Sequence, residues 1–157
     1  MIAVNLETAS IKGFMGRMLR EDMLDEFEVR GVEIGVDIRI SINGALEAAS
    51  EDEEEVPKPQ GFTTWGALRP LVYTIIKSCP KPKLIKIVFS YSAKEAHQIH
   101  TNAAALFLNM VYENDNLSFT TATAQKEFAL DKSLDNSWDE WVRGFFIQKN
   151  IIVTDRE

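Results

Sequence analysis

Val32-Glu33-Ile34-Gly35-Val36-Asp37-Ile38-Arg39-Ile40-Ser41-Ile42 is the stretch that decides the fold. Its even positions are all valine or isoleucine, and its odd positions are charged, polar or glycine. Alternation with period two sends successive side chains to opposite faces of a β-strand, so one face seeks a core and the other meets water. A helix would scatter the same isoleucines around its circumference. Gly35 is where the run is expected to split into two paired strands. Upstream, Phe27 and Val29 are apolar at odd positions, so the phase slips at Gly31. A β-bulge or bend produces such a slip. Asn43-Gly44 reads as a tight turn, since both residues accept positive φ. Ala45 to Ala49 then returns as a short edge strand.

The rest of the chain supplies partners and cover. Met1 to Leu6 reads as a first strand. Thr8 or Ser10 caps a helix whose stripe is Ile11, Phe14, Met15, Met18 and Leu19. Lys12, Gly13, Gly16, Arg17 and Arg20 lie on its other side. Two glycines cost roughly 1 kcal/mol each against alanine in a helix, which suggests that something approaches this face closely. Thr63 or Thr64 begins a second helix carrying Trp65, Leu68, Leu71, Val72, Ile75 and Ile76. Pro70 lacks an N–H, so this helix is expected to start near Arg69 or to kink there. Cys79-Pro80-Lys81-Pro82 ends it, and Leu84 to Tyr91 is a strand.

Ser92 with Glu95 fits a capping box that opens a short helix to about His100. Ala104 to Glu113 is apolar on both faces, as a central strand should be. Asn114-Asp115-Asn116 turns the chain back into Leu117 to Thr123, and Lys126 to Leu130 is read as a third strand of this meander. Asp135 or Ser137 caps a last helix with Leu134, Trp138, Trp141, Val142 and Phe145. Ile151 to Val153 is a tail that packs or pairs. The fold class is therefore α+β: a largely antiparallel sheet with about four helices. The order strand, helix, several strands occurs twice. Ile34, Ile38, Ile40, Ile87, Phe89, Leu108, Met110, Phe119, Trp138 and Phe145 are the expected core.

The 157 residues, 45% hydrophobic and 26% charged, suit a single globular domain spanning 1–157. Within it, residues 50–61 carry Glu51, Asp52, Glu53, Glu54 and Glu55 and then Pro57 and Pro59, a composition expected to be mobile. The net charge of −7 is uneven: residues 1–55 hold 14 acidic and 5 basic side chains, residues 56–157 hold 10 and 12, and 56–94 holds no acid at all. The acid-free stretch either meets an anionic partner or faces the acidic first third, and the second is the simpler reading. Cys79 is the only cysteine, which excludes an internal disulfide and fits the cytoplasm. Met1 to Leu6 lacks a basic n-region, and the most apolar run, Ala103 to Tyr112, is too short to span a bilayer, so no membrane role is expected.

Recognisable catalytic patterns are missing. No glycine cluster stands between a strand and a helix to cradle phosphate, and there is no G-x-S-x-G elbow. Cys79 would need a histidine brought to it by the fold before it could act as a nucleophile. His97 and His100, three apart on a helix, are the best metal pair, but a third ligand is required and Glu95 lies on another face. Surface histidines are the plainer reading, so neither metal nor cofactor is expected. Asp131, Asp135, Asp139 and Glu140 suit the start of a helix, where carboxylates stabilise the dipole. The expectation is a non-catalytic binding or interaction module, with a protein partner or self-association. A hydrolase whose site assembles only in the fold is an alternative.

Trp65, Leu68-Arg69-Pro70 and Ile76-Lys77, with the later Leu130-Asp131-Lys132-Ser133 and Trp138, resemble a family of small bacterial proteins from Firmicutes, a domain of unknown function. That resemblance covers most of the chain. It implies a cytoplasmic bacterial protein and brings no activity or functional residue with it. The order of elements is also similar to one domain of a DNA sliding clamp, in which helices line a ring and show basic residues to DNA. On that likeness Lys12, Arg17 and Arg20 of the first helix, with Arg69 and Lys77 of the second, form the nucleic-acid face. The helix after Ser92 and the long C-terminal helix depart from the clamp pattern, and a chain of this size would have to oligomerise to close a ring. The acidic pI near 4.9 also counts against a dedicated nucleic-acid binder.

Overall fold

A computed structural model describes residues 1–47 and 61–156 of the chain. Strand β1 (Ala3–Leu6) leads through a single 3-10 turn into helix α1 (Ile11–Arg20). Strands β2 (Glu28–Gly35) and β3 (Arg39–Asn43), helix α2 (Trp65–Ser78), strand β4 (Leu84–Tyr91) and helix α3 (Ala93–Ile99) follow. Strands β5 (Ala103–Glu113) and β6 (Asn116–Gln125), helix α4 (Ser133–Gln148) and strand β7 (Val153–Asp155) complete the order. All neighbouring strands pair antiparallel in one sheet, ordered β3-β2-β4-β5-β6-β1-β7. The fold is α+β, with four α-helices among the described residues.

The alternating run is the hairpin β2–β3. Gly35 ends the first arm, and Val32 faces Ile42 while Ile34 faces Ile40, so both arms send isoleucines to one side. Ile38 overturns its expected place in the core: it sits in the hairpin turn between β2 and β3, outside the alternation of either strand, and is 67% exposed. Ile40, on the edge strand, is only half-buried. The slip at Gly31 is a true irregularity, with the pairing to β4 shifting between Val29 and Gly31. Asn43-Gly44 corrects the sequence reading, since neither residue has positive φ. The chain instead runs on over Val29, where a Cβ at Gly44 would stand 1.8 Å from the Val29 carbonyl oxygen. Only glycine allows that approach.

Beyond Gly44 the chain is pinned to the segment that enters α2. Gly44 N–H donates to Arg30 O (3.0 Å), Leu46 N–H to Gly61 O (2.9 Å) and Thr63 N–H to Gly44 O (2.8 Å). Ala45 and Phe62 form an isolated bridge, which is all that the described residues show of the expected strand 45–49. Residues 48–60, and with them most of the acidic proline segment expected to be mobile, lie outside the described residues.

One row of cross-strand partners spans six strands: Ile42, Val32, Ile87, Met110, Phe119 and Val4. Five of these are buried and Ile42 is half-buried. The helices cover this face with Phe14 and Met18 from α1, Trp65 and Val72 from α2, Ala96 from α3, and Trp138, Val142 and Phe146 from α4. Burying each large side chain is worth about 1.5–3 kcal/mol, so the row and its cover are what hold the layers together. The indoles add direction: Trp65 Nε1–H donates to Met18 O (2.9 Å), and Trp138 Nε1–H to Phe107 O (2.9 Å). On the other face the bulge turns out Arg30, whose guanidinium lies 3.9 Å from the Phe62 ring centroid and donates from Nε to Ser90 Oγ.

Several local expectations change. Thr64 Oγ1 accepts from Ala67 N–H (3.2 Å), so α2 starts at Trp65, and Pro70 sits exposed inside it rather than near its start. Helix α4 starts at Ser133, ahead of Asp135 and Ser137, because Asp131 takes the Ser133 N–H on its carboxylate (3.0 Å). Asn114 and Asp115 do make the tight turn, with φ of 54° and 60°. Lys126 to Leu130 is a loop and not a strand. A methyl added at Gly13 meets nothing within 4 Å, and at Gly16 only the flexible guanidinium of Arg20, so among the described residues nothing crowds that face of α1.

Candidate functional site

The loop that replaces the expected third strand is the most constructed feature of the surface. It runs from Lys126 to Lys132, between β6 and α4, and two side-chain amides clasp it. Asn102 donates from Nδ2 to Glu127 O (2.9 Å) and accepts the Glu127 N–H on Oδ1 (2.9 Å). Gln125 does the same to Ala129, with Nε2 to Ala129 O (3.1 Å) and Ala129 N–H to Oε1 (3.0 Å). Each amide thus imitates a β-ladder partner and satisfies one residue's donor and acceptor together. At the far end Asp131 accepts both the N–H and the hydroxyl of Ser133. Those two bonds hold the Asp131 carboxyl below its usual range.

The frame presents two apolar side chains to water. Phe128 is 85% exposed and Leu130 is 86% exposed, more than any other large hydrophobic residue described. A disordered loop could collapse such groups onto the surface. This backbone is tied at Glu127 and Ala129, so the residues beside them stay out.

The two histidines serve the same loop. His100 Nδ1 accepts from Asn102 N–H (3.1 Å), so its proton sits on Nε2, 3.0 Å from Ser133 Oγ. His97 Nδ1 lies 3.2 Å from the Lys126 ammonium. An ammonium at that nitrogen competes with a metal ion. No group of three or more His, Cys, Asp or Glu side chains is arranged to hold a metal among the described residues. Cys79 caps the C-terminus of α2 half-buried.

The basic residues proposed for nucleic acid do not share one state. Arg69 lies bidentate on Asp25 (2.9 and 2.8 Å), both partners half-buried, so its charge is already committed to an ion pair. Arg17 donates to Lys149 O (2.6 Å), tying α1 to the end of α4. Lys12, Arg20 and Lys77 are exposed, Arg20 hydrogen-bonding weakly to Gly16 O and Lys77 lying near the Tyr73 ring. Of the carboxylates at the start of α4, Asp135 accepts from Thr123 and Asp139 from Thr121 Oγ1 (2.5 Å), which stitches the helix to β6.

Among the cavities elsewhere are two of larger volume. One, of about 470 Å³, opens between α1, the end of α2 and the β4–β5 pair. The other, of about 530 Å³, lies between α3 and α4 over Tyr91 and Trp141. Burial pushes the Tyr91 phenol up, and the Glu95 and Glu26 carboxylates push it further.

A family model of a family of unknown function (DUF5721) matches residues 17–154, and the chain belongs to that family. No curated protein and no solved structure matches it. Among the described residues no helix is long and apolar enough to cross a membrane. Sequence reasoning missed Asn102, Gln125, Phe128 and Leu130 as a unit. Phe128 and Leu130 alternate as strand residues do, and nothing in the sequence says that side-chain amides take the place of a neighbouring strand. The usable signal was Asp131-Lys132-Ser133, whose acid two residues before a serine ends the loop.

Proposed function

We propose that this chain is a non-catalytic, cytoplasmic interaction module that captures a partner protein through the loop Lys126–Lys132. The observation behind this reading is the pairing of a fixed backbone with two fully presented apolar side chains. Seating Phe128 and Leu130 in a partner's pocket is worth about 1.5–3 kcal/mol each. A loop already ordered loses less entropy on binding, so more of that gain survives as affinity. Lys126, Glu127, Asp131 and Lys132 surround the pair with both charges, a rim suited to protein rather than to phosphate.

Photo-crosslinking decides between this and a surface without a partner. A benzophenone amino acid at Phe128, expressed in the native cell, should give one discrete adduct that weakens with Leu130→Ser and with Asn102→Ala. The purified adduct protein should then bind the unmodified chain, and bind Phe128→Ser at least tenfold less. Adducts spread over many proteins, or equal affinity for both forms, would overturn the proposal. Duplex DNA is the rival partner. At physiological salt no binding to a short duplex is expected. Affinity that falls steeply with salt and drops for Arg20→Glu would favour the clamp-like reading instead.

A further inference from the structure

The cavity beside α1 is of a different kind from the loop. Its floor is the core itself: Ile11, Leu19 and Ile85 are buried, and Met15 and Ile76 are half-buried against them. Ile11, Met15 and Leu19 follow at four-residue spacing, so the apolar wall runs about 12 Å along the helix at its 1.5 Å rise per residue. The volume of about 470 Å³ is that of a small-molecule site, and such sites combine apolar walls with a few placed polar groups. The polar groups stand at one rim. Lys81 Nζ lies 2.9 Å from Asp115 Oδ1, and the Tyr112 hydroxyl donates to the same oxygen (3.2 Å). The Lys81 ammonium and the Tyr112 hydroxyl hold the Asp115 carboxyl below its ordinary range, so Asp115 stays charged and occupied. Lys12, also on the rim, has no acidic partner among the described residues.

An apolar slot whose mouth carries a cation without an acidic partner among the described residues selects a ligand of matching halves. We propose that this groove binds a small amphiphile, an extended apolar tail lying along Ile11, Met15 and Leu19 with an anionic head group at Lys12. A neutral tail would leave Lys12 unused, and a cationic head would meet its like charge. The site is independent of the loop Lys126–Lys132.

Titration calorimetry on the full chain tests this with decanoate, decyl phosphate, decanol and decylamine, each below its micelle-forming concentration. Decanoate or decyl phosphate should bind saturably at one site, and the tighter of the two identifies a carboxylate or a phosphate head. Decanol should bind more weakly and decylamine not at all. Lys12→Glu should weaken the anionic probe about two- to fivefold, the effect of an exposed ion pair, and leave decanol unchanged. Met15→Trp should fill the slot and abolish binding of every probe. Because that change crowds the helix, the chain labelled at its methionine methyls gives a second measurement without mutation. Of the five methionines, Met15 should shift most on adding the probe and Met110, in the sheet row, least. Absence of saturable binding, equal binding of decanoate and decylamine, or a largest shift away from Met15 would each overturn the proposal.

Discussion

The loop Lys126–Lys132 and the groove beside α1 both leave apolar side chains in contact with water, but by opposite constructions. The groove is concave and its walls are the outer layer of the core, so the same residues that would meet a ligand also hold α1 on the sheet. The loop holds its apolar side chains outside the core, almost wholly exposed, and hydrogen bonds to Asn102 and Gln125 hold its shape. Function and stability are therefore fused in one region and separable in the other.

The largest effect should come from the groove wall. Leu19→Ala removes a buried side chain and should lower stability by about 2–5 kcal/mol, read as a fall in the urea midpoint. A loss below 1 kcal/mol would mean that the wall is not core. In the loop the corresponding support is polar: Asn102→Ala deletes two hydrogen bonds to Glu127 and should cost about 1–2 kcal/mol. Hydrogen exchange at Glu127 should rise with it, while exchange in β5 stays slow. Gly13→Ala should act in the other direction, raising stability by about 1 kcal/mol, because the added methyl meets open space. Destabilisation there would show that something does pack on that face.

Smaller still is the response of the loop to acid. The folded Asp131 carboxyl is held below its unfolded value, so its help is fully present at neutral pH and is lost as pH falls through the lowered value. The Ser133 amide should lose protection only in that acidic window, and Asp131→Asn should remove the dependence. Phe128→Ser should leave stability within about 0.5 kcal/mol of the parent, since the side chain is 85% exposed. A larger loss would erase the contrast between the two regions.

Whether these features can be read in the sequence follows the range of the interactions that build them. Strands β2, β3 and β4 were legible because period-two alternation is local, and β5 because it is apolar on both faces, while Gly31 and Gly35 marked the irregularity and the turn correctly. Asn43-Gly44 misled because its glycine answers to Val29, fifteen residues away, and not to a turn. Asn102 meets Glu127 only after the β5–β6 hairpin has formed, so no spacing in the sequence announces that half of the clasp; Gln125 reaches Ala129 four residues on, but a lone glutamine at that spacing carries no pattern of its own. The stripe of α1 was visible, but its partial cover depends on where α2 ends and where Tyr112 lands. The basic set Lys12, Arg17, Arg20, Arg69 and Lys77 looked uniform in sequence; the fold gives Arg69 to Asp25 and Arg17 to a carbonyl.

The bonds that join Gly44, Leu46, Gly61 and Thr63 close the base of the intervening segment as a zipped stem. Once both strands of a stem are fixed, each doubling of the chain between them adds only about 0.6 kcal/mol of closure entropy. An insert placed between the two strands of this stem should therefore cost little stability and leave the register of the sheet unchanged, which makes the stem a socket for foreign sequence.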